Sequence, residues 1–78
     1  MSIQTGIYQH YKGPQYRVLS VATHSENQQQ MVVYQALYGA FGLWVRPLSM
    51  FIEQVEVDGM QQPRFALLQA EESLLNQL

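Results

Sequence analysis

Leu43-Trp44-Val45-Arg46-Pro47-Leu48-Ser49-Met50-Phe51 is the stretch on which the fold turns. It opens as a short run of β-formers and is stopped by a proline. The residue before a proline is pushed towards extended geometry, so Arg46 ends a strand and does not start a helix. Pro47 can then open a single helical turn through Leu48–Phe51, because its missing N–H is not needed there. A strand, one helical turn and further strands make a pattern that suits a small, strongly bent antiparallel sheet.

Upstream, Gly39-Ala40-Phe41-Gly42 reads as a turn. Before it, Met31–Tyr38 places Val32, Tyr34, Ala36 and Tyr38 on one side and Met31, Val33 and Leu37 on the other. Both faces are largely apolar, which predicts an inner strand. His24–Gln30 is polar throughout and reads as a loop. Tyr16–Thr23 is the longest clean strand, with Arg17, Leu19, Val21 and Thr23 alternating with Tyr16, Val18, Ser20 and Ala22. Two long strands around a polar loop predict an antiparallel hairpin. Lys12-Gly13-Pro14-Gln15 is another turn. It follows a strand in which Ile7, Gln9 and Tyr11 oppose Tyr8 and His10. Residues 1–5 read as a flexible leader.

Downstream, Val55 and Val57 mark a strand, Asp58-Gly59 a turn, and Arg64–Leu67 a last short strand after Pro63. The pattern then changes period. Leu67, Leu68, Glu71, Leu74, Leu75 and Leu78 recur every three to four residues, which predicts an amphipathic C-terminal helix over 68–78 with acids near its positive end. That leucine stripe would have to dock on the domain or on a second copy of the chain. Five or six short strands with tight turns predict a mainly β domain over residues 6–67. An SH3-like antiparallel barrel fits the lengths best.

Composition narrows the function. The chain has 78 residues, 47% hydrophobic and 13% charged, with a formal charge of −2. One folded domain follows, and disorder does not. Four Lys and Arg form no basic stripe, which disfavours binding driven by phosphate-backbone neutralisation. Without cysteine there is no disulfide framework, thiolate nucleophile or Cys-based zinc site. Two histidines with few carboxylates predict no metal site, and nothing in the sequence calls for a cofactor. No apolar run nears the roughly 20 residues needed to span a bilayer, and the start lacks signal-peptide features. A cytoplasmic protein is expected.

Several separated motifs occur in order: Tyr8-x-His10-Tyr11-Lys12-Gly13, Tyr16-x-Val18, His24-Ser25-Glu26, Val33-Tyr34-Gln35-x-Leu37-Tyr38, Trp44-Val45-Arg46-Pro47-Leu48-x-Met50-Phe51 and Pro63-Arg64-Phe65. Together they resemble a family of small bacterial domains known as domain of unknown function 1653, over roughly residues 6–67. The resemblance implies an SH3-like β-barrel and no established activity. The leucine-rich tail lies outside it.

The candidate functional residues are Tyr8, His10, Lys12, Trp44 and Arg46, with His24 and Glu26 on an adjoining loop. His10 and Lys12 belong to the first strand and its turn, and Arg46 ends a later strand beside Trp44. Arginine recognises carboxylate or phosphate in a planar, bidentate manner, and aromatic faces can stack a planar group. The bland alternative is that Arg46 pairs with Glu26 or Glu53 and locks a turn. His24-Ser25-Glu26 is not read as a catalytic triad, because neighbours in sequence rarely converge and a triad is a spatial arrangement. Turn capping by Ser25, Glu26 or Asn27 is the simpler account. Phe41, Phe51 and Phe65 are expected in the core, and Trp44 is expected to pack with its N–H at the rim. The reading that follows is a non-enzymatic binding or adaptor module for a peptide or small anionic ligand. The rivals are single-stranded nucleic-acid binding through aromatics and a small hydrolase using His24 and Glu26.

Overall fold

A computed structural model describes residues 3–72. The chain runs through β1 (Gly6–His10), β2 (Gln15–Thr23), β3 (Gln30–Ala36), β4 (Leu43–Pro47), α1 (Leu48–Phe51), β5 (Gln54–Val57), β6 (Met60–Pro63) and β7 (Phe65–Ala70). Five strands form one antiparallel sheet in the order β4-β3-β2-β1-β7, and β5 and β6 form a separate hairpin. The fold is mainly β, as expected. The two ends of the large sheet, β4 and β7, do not pair with each other, so the expected barrel is not closed by a hydrogen-bonded seam. One side-chain contact reaches across: the Arg46 guanidinium of β4 lies 5.7 Å from the centroid of the Phe65 ring of β7.

The β2–β3 hairpin organises the sheet, and it contains one irregularity. Val18 pairs with Tyr34, but Ser20 pairs with Val33, so Leu19 is an extra residue on β2. A bulge of this kind switches which face the following residues occupy. Val18 is therefore buried before the bulge, and Val21 packs against the core after it. The simple alternation read from the sequence puts these two residues on opposite faces.

The core consists of Tyr8, Val18, Val32, Tyr34, Leu48, Phe51 and Phe65. Helix α1 supplies two of these from a single turn. Pro47 precedes it in extended conformation (φ −53°, ψ 136°) and pairs with Met31, so it closes the strand, and the helical turn opens at Leu48. Phe51 stacks on Phe65 with centroids 4.1 Å apart and planes 3° from parallel. Phe41, expected in the core, is 52% exposed. It sits in the β3–β4 turn with φ +56°, where the backbone bends too sharply to point the ring inwards.

Two strand assignments differ from the sequence reading. β6 was not expected, because Met-Gln-Gln-Pro carries no apolar alternation. It forms because Asp58 and Gly59 both take positive φ (52° and 78°), the two-residue turn that folds β5 back on itself. β7 extends to Ala70, so Leu68–Ala70 are strand and not the first turn of a helix. Residues 73–78 of the expected helix, with most of its leucines, lie outside the described residues. At the other end, Ile3 packs on the core and Thr5 exchanges hydrogen bonds with Glu71, so residues 3–5 are fastened to the end of β7. Among the described residues no helix is long and apolar enough to cross a membrane.

Candidate ligand groove

Cross-strand partners share a face of a sheet. Trp44 pairs with Tyr34, Arg46 with Val32, and Tyr8 with Tyr16. Since Val32 and Tyr34 face the core, Trp44 and Arg46 project on the concave side of the sheet. Trp44, expected to pack, is 57% exposed, because β4 is an edge strand with no further strand beside it among the described residues.

Phe65 is the floor of the concave side. His10 meets its ring edge-on at 5.0 Å, Tyr16 at 5.7 Å and Tyr34 at 6.0 Å. Arg46 lies over the same ring. Among the described residues the Arg46 guanidinium has neither a carboxylate partner nor a hydrogen bond. Glu53 instead pairs with Arg64 at 3.0 Å, and Arg17 with Glu71 at 3.0 Å. Arg46 is therefore not the turn-locking ion pair that the bland alternative required.

His10 lies among cations. Its pKa is lowered, first by burial and then by the charges of Arg64, Arg46 and Lys12. Its Nδ1 accepts the Lys12 backbone N–H at 3.1 Å, which leaves Nε2 as the protonated atom of the neutral ring. Lys12 itself is exposed, with Nζ 5.7 Å from the Tyr11 ring centroid. Three of the four Lys and Arg residues thus act on one imidazole. Only Arg17 lies elsewhere, held by Glu71. The Arg64 Nε is buried and has no hydrogen-bond partner among the described residues.

Tyr16 and Tyr38 join this side through a hydroxyl–hydroxyl hydrogen bond of 2.9 Å. Burial, then the Tyr38 contact, pushes the Tyr16 pKa up to about 12, so Tyr16 stays neutral near pH 7. The sequence reading did not place Tyr16, Tyr38, Phe65 or Arg64 in the groove. The usable signal was phase: Tyr38 alternates with Val32, Tyr34 and Ala36, which line the concave side.

The other candidates separate from this cluster. Tyr8 is core, with its hydroxyl donating to the Gln4 carbonyl and its pKa raised by burial. It cannot serve as a groove wall. His24 and Glu26 lie in the β2–β3 turn, beyond Thr23. Tyr16 and Thr23 are seven residues apart on β2, about 23 Å of extended strand. There, the His24 Nδ1 accepts the Glu26 backbone N–H at 3.2 Å, and the Asn27 side-chain oxygen accepts the Gln29 N–H at 2.9 Å. That is turn chemistry. Among the described residues no three His, Asp or Glu side chains come together as metal ligands.

The family described as protein of unknown function (DUF1653) matches residues 6–67 of the chain. The chain belongs to this family. A crystal structure of another DUF1653 protein, from Bordetella bronchiseptica, is similar at 35% identity with a TM-score of 0.80. The similarity covers 90% of this chain and 92% of that one. No curated protein matches the chain significantly. Membership in DUF1653 carries no established activity, so the chemistry of the groove has to be argued from its own residues.

Proposed function

We propose that this DUF1653 domain is a non-enzymatic binding module whose concave side takes an anionic group, a carboxylate or phosphate carried by a peptide or small molecule. One observation carries the reading: Arg46 is half-buried over Phe65 with no carboxylate partner among the described residues, while Lys12 and Arg64 add positive charge around the neighbouring His10. A partly buried guanidinium is a costly thing to leave unmatched, and a planar oxyanion is its natural complement. The His10 Nε2–H and the Tyr16–Tyr38 hydroxyl pair add hydrogen-bonding groups beside it. His24 and Glu26 have no part in this site.

An amide chemical-shift titration of the labelled chain tests it, with phosphate, acetate, nucleotides, short single-stranded DNA and peptides as the panel. Saturable shifts centred on His10, Tyr16 and Arg46, lost in Arg46→Gln, are the expected result. Silence at those three residues across the panel would overturn the reading. Single-stranded nucleic acid is kept as a second reading because three aromatic rings, Tyr38, Phe41 and Trp44, are exposed. It predicts shifts at those three residues with DNA alone, falling steeply with added salt.

A further inference from the structure

Among the described residues β4 has an open edge, and the register shows which backbone groups it presents. The Ala36 N–H donates to the Gly42 carbonyl at 2.9 Å, and the Tyr34–Trp44 and Val32–Arg46 pairs continue the same register. Antiparallel pairs alternate between those that exchange hydrogen bonds and those that do not. Trp44 and Arg46 therefore turn their N–H and C=O groups towards β3, while Leu43, Val45 and Pro47 turn theirs outwards. Proline falls at an outward position, where its missing donor leaves no ladder bond unmade. Among the described residues nothing bonds the outward groups of Leu43 and Val45. The side chains along this edge are bare as well: Leu43 is 65% exposed and Val45 61%.

We infer that an extended acidic peptide adds to β4 as a sixth, antiparallel strand of the large sheet, with its carboxylate on Arg46. This inference rests on the proposed anion-binding reading and names the ligand that brings the anion. The outward N–H and C=O of Leu43 and Val45 supply four main-chain hydrogen bonds, the usual mode of strand addition at a sheet edge. In that register the peptide residue opposite Arg46 projects on the concave side, because directly paired residues share a face. Charge chooses the occupant. The unmatched guanidinium and the cations around His10 call for an acidic side chain at that one position. A second copy's β4 would not supply it, since Leu43–Pro47 contains no acid.

The test uses N-acetyl-Thr-Glu-Val-Thr-Val-amide with the labelled full chain, the glutamate placed to face Arg46. Three observations are expected: saturable shifts at Leu43, Val45 and Arg46, slowed hydrogen exchange at the Leu43 and Val45 amides, and a blue shift of Trp44 emission. Replacing the peptide glutamate by glutamine should weaken binding about tenfold, the loss of one charge-assisted hydrogen bond. N-methylation of both peptide valines should abolish the complex without any change to the protein. Val45→Pro should weaken binding too, since it removes an outward N–H and leaves the β3 pairing intact. If the N-methylated peptide binds equally well, or shifts appear at His10 and Arg46 while Leu43 and Val45 exchange freely, strand addition is overturned and the anion site stands. If acetate and phosphate also leave Arg46 unmoved, both readings fall together. A dimer that already protects the Leu43 and Val45 amides without peptide would likewise overturn the inference.

Discussion

Replacing Phe51 by alanine removes a fully buried ring from the core. Phe51 is 2% exposed and stacks on Phe65. It also meets Tyr8 edge-on at 5.4 Å and Tyr34 at 5.6 Å. Truncating a buried phenylalanine costs about 3–5 kcal/mol, cavity included. The aromatic pairs, about 0.5–1.5 kcal/mol each, overlap with that cost and place the expectation near its middle, about 4 kcal/mol. A 78-residue chain has a total stability of about 4–12 kcal/mol at typical per-residue values. With a urea m-value of about 1 kcal/mol/M, the midpoint should fall by about 4 M, and a wild type at the low end would be lost altogether. Phe41→Ala is the comparison, an equal truncation at an exposed ring, and should stay within about 1 kcal/mol of wild type. Urea unfolding followed by circular dichroism reads both. A Phe51→Ala loss no greater than that of Phe41→Ala would refute the packing account, including the stacking of α1 on Phe65.

Other perturbations test separate parts of the structure. Arg46→Gln should change stability by less than about 1 kcal/mol, because Arg46 forms no ion pair among the described residues, yet remove the response to phosphate; urea unfolding and shift titration read the two effects. His10 should titrate below the usual histidine value, because burial and the nearby cations disfavour its charged form. The unfolded chain then binds the proton more readily, so the His10 contribution to stability is present above the unfolded pKa of about 6.5 and lost as pH falls through the lower folded value. Imidazole shifts against pH would show this, and a bound anion should move the His10 pKa upwards. Gly6→Ala should cost at least about 2 kcal/mol. Gly6 has φ +142°, and an added Cβ would press on the Gln69 carbonyl and come within 2.9 Å of the Glu71 amide nitrogen. Loss of amide protection along β7 would report it.

Much of the fold was legible because it depends on local rules. Alternation marked β2 and β3, Pro47 marked the end of β4, and Asp58-Gly59 marked a turn that the positive φ angles confirm. The rest depended on pairing. Leu67 and Leu68 fit a helical stripe, but hydrogen bonds to β1 hold this segment extended. The Leu19 bulge has no sequence signature and reverses the face on which Val21 packs. Phe41 and Phe51 are the same residue type, and only the sharp turn at Phe41 separates a surface ring from a core one. Of the candidate site, the sequence offers His10, Lys12 and Arg46 as chemistry-bearing residue types, and the charges of Lys12 and Arg46 act on His10 in the structure. Their convergence on Phe65 comes from strands that meet only when the sheet bends. The Tyr16–Tyr38 bond joins positions 22 residues apart in the same way.

Pro47 also sets how far the exposed margin of this protein can grow. A long, flat, apolar edge is a template for endless addition, as in fibrils. Here the template is two donors long: Leu43 and Val45 offer an N–H, and the next outward position has none to give. A short guest can be held at both of its rungs, whereas a longer strand gains no third. A cell crowded with such domains would thus meet a surface that is adhesive to brief segments and inhospitable to sheets. Exchanging Pro47 for valine would lengthen the template by one rung, and the cost of that change would surface as turbidity at high concentration before it surfaced as instability.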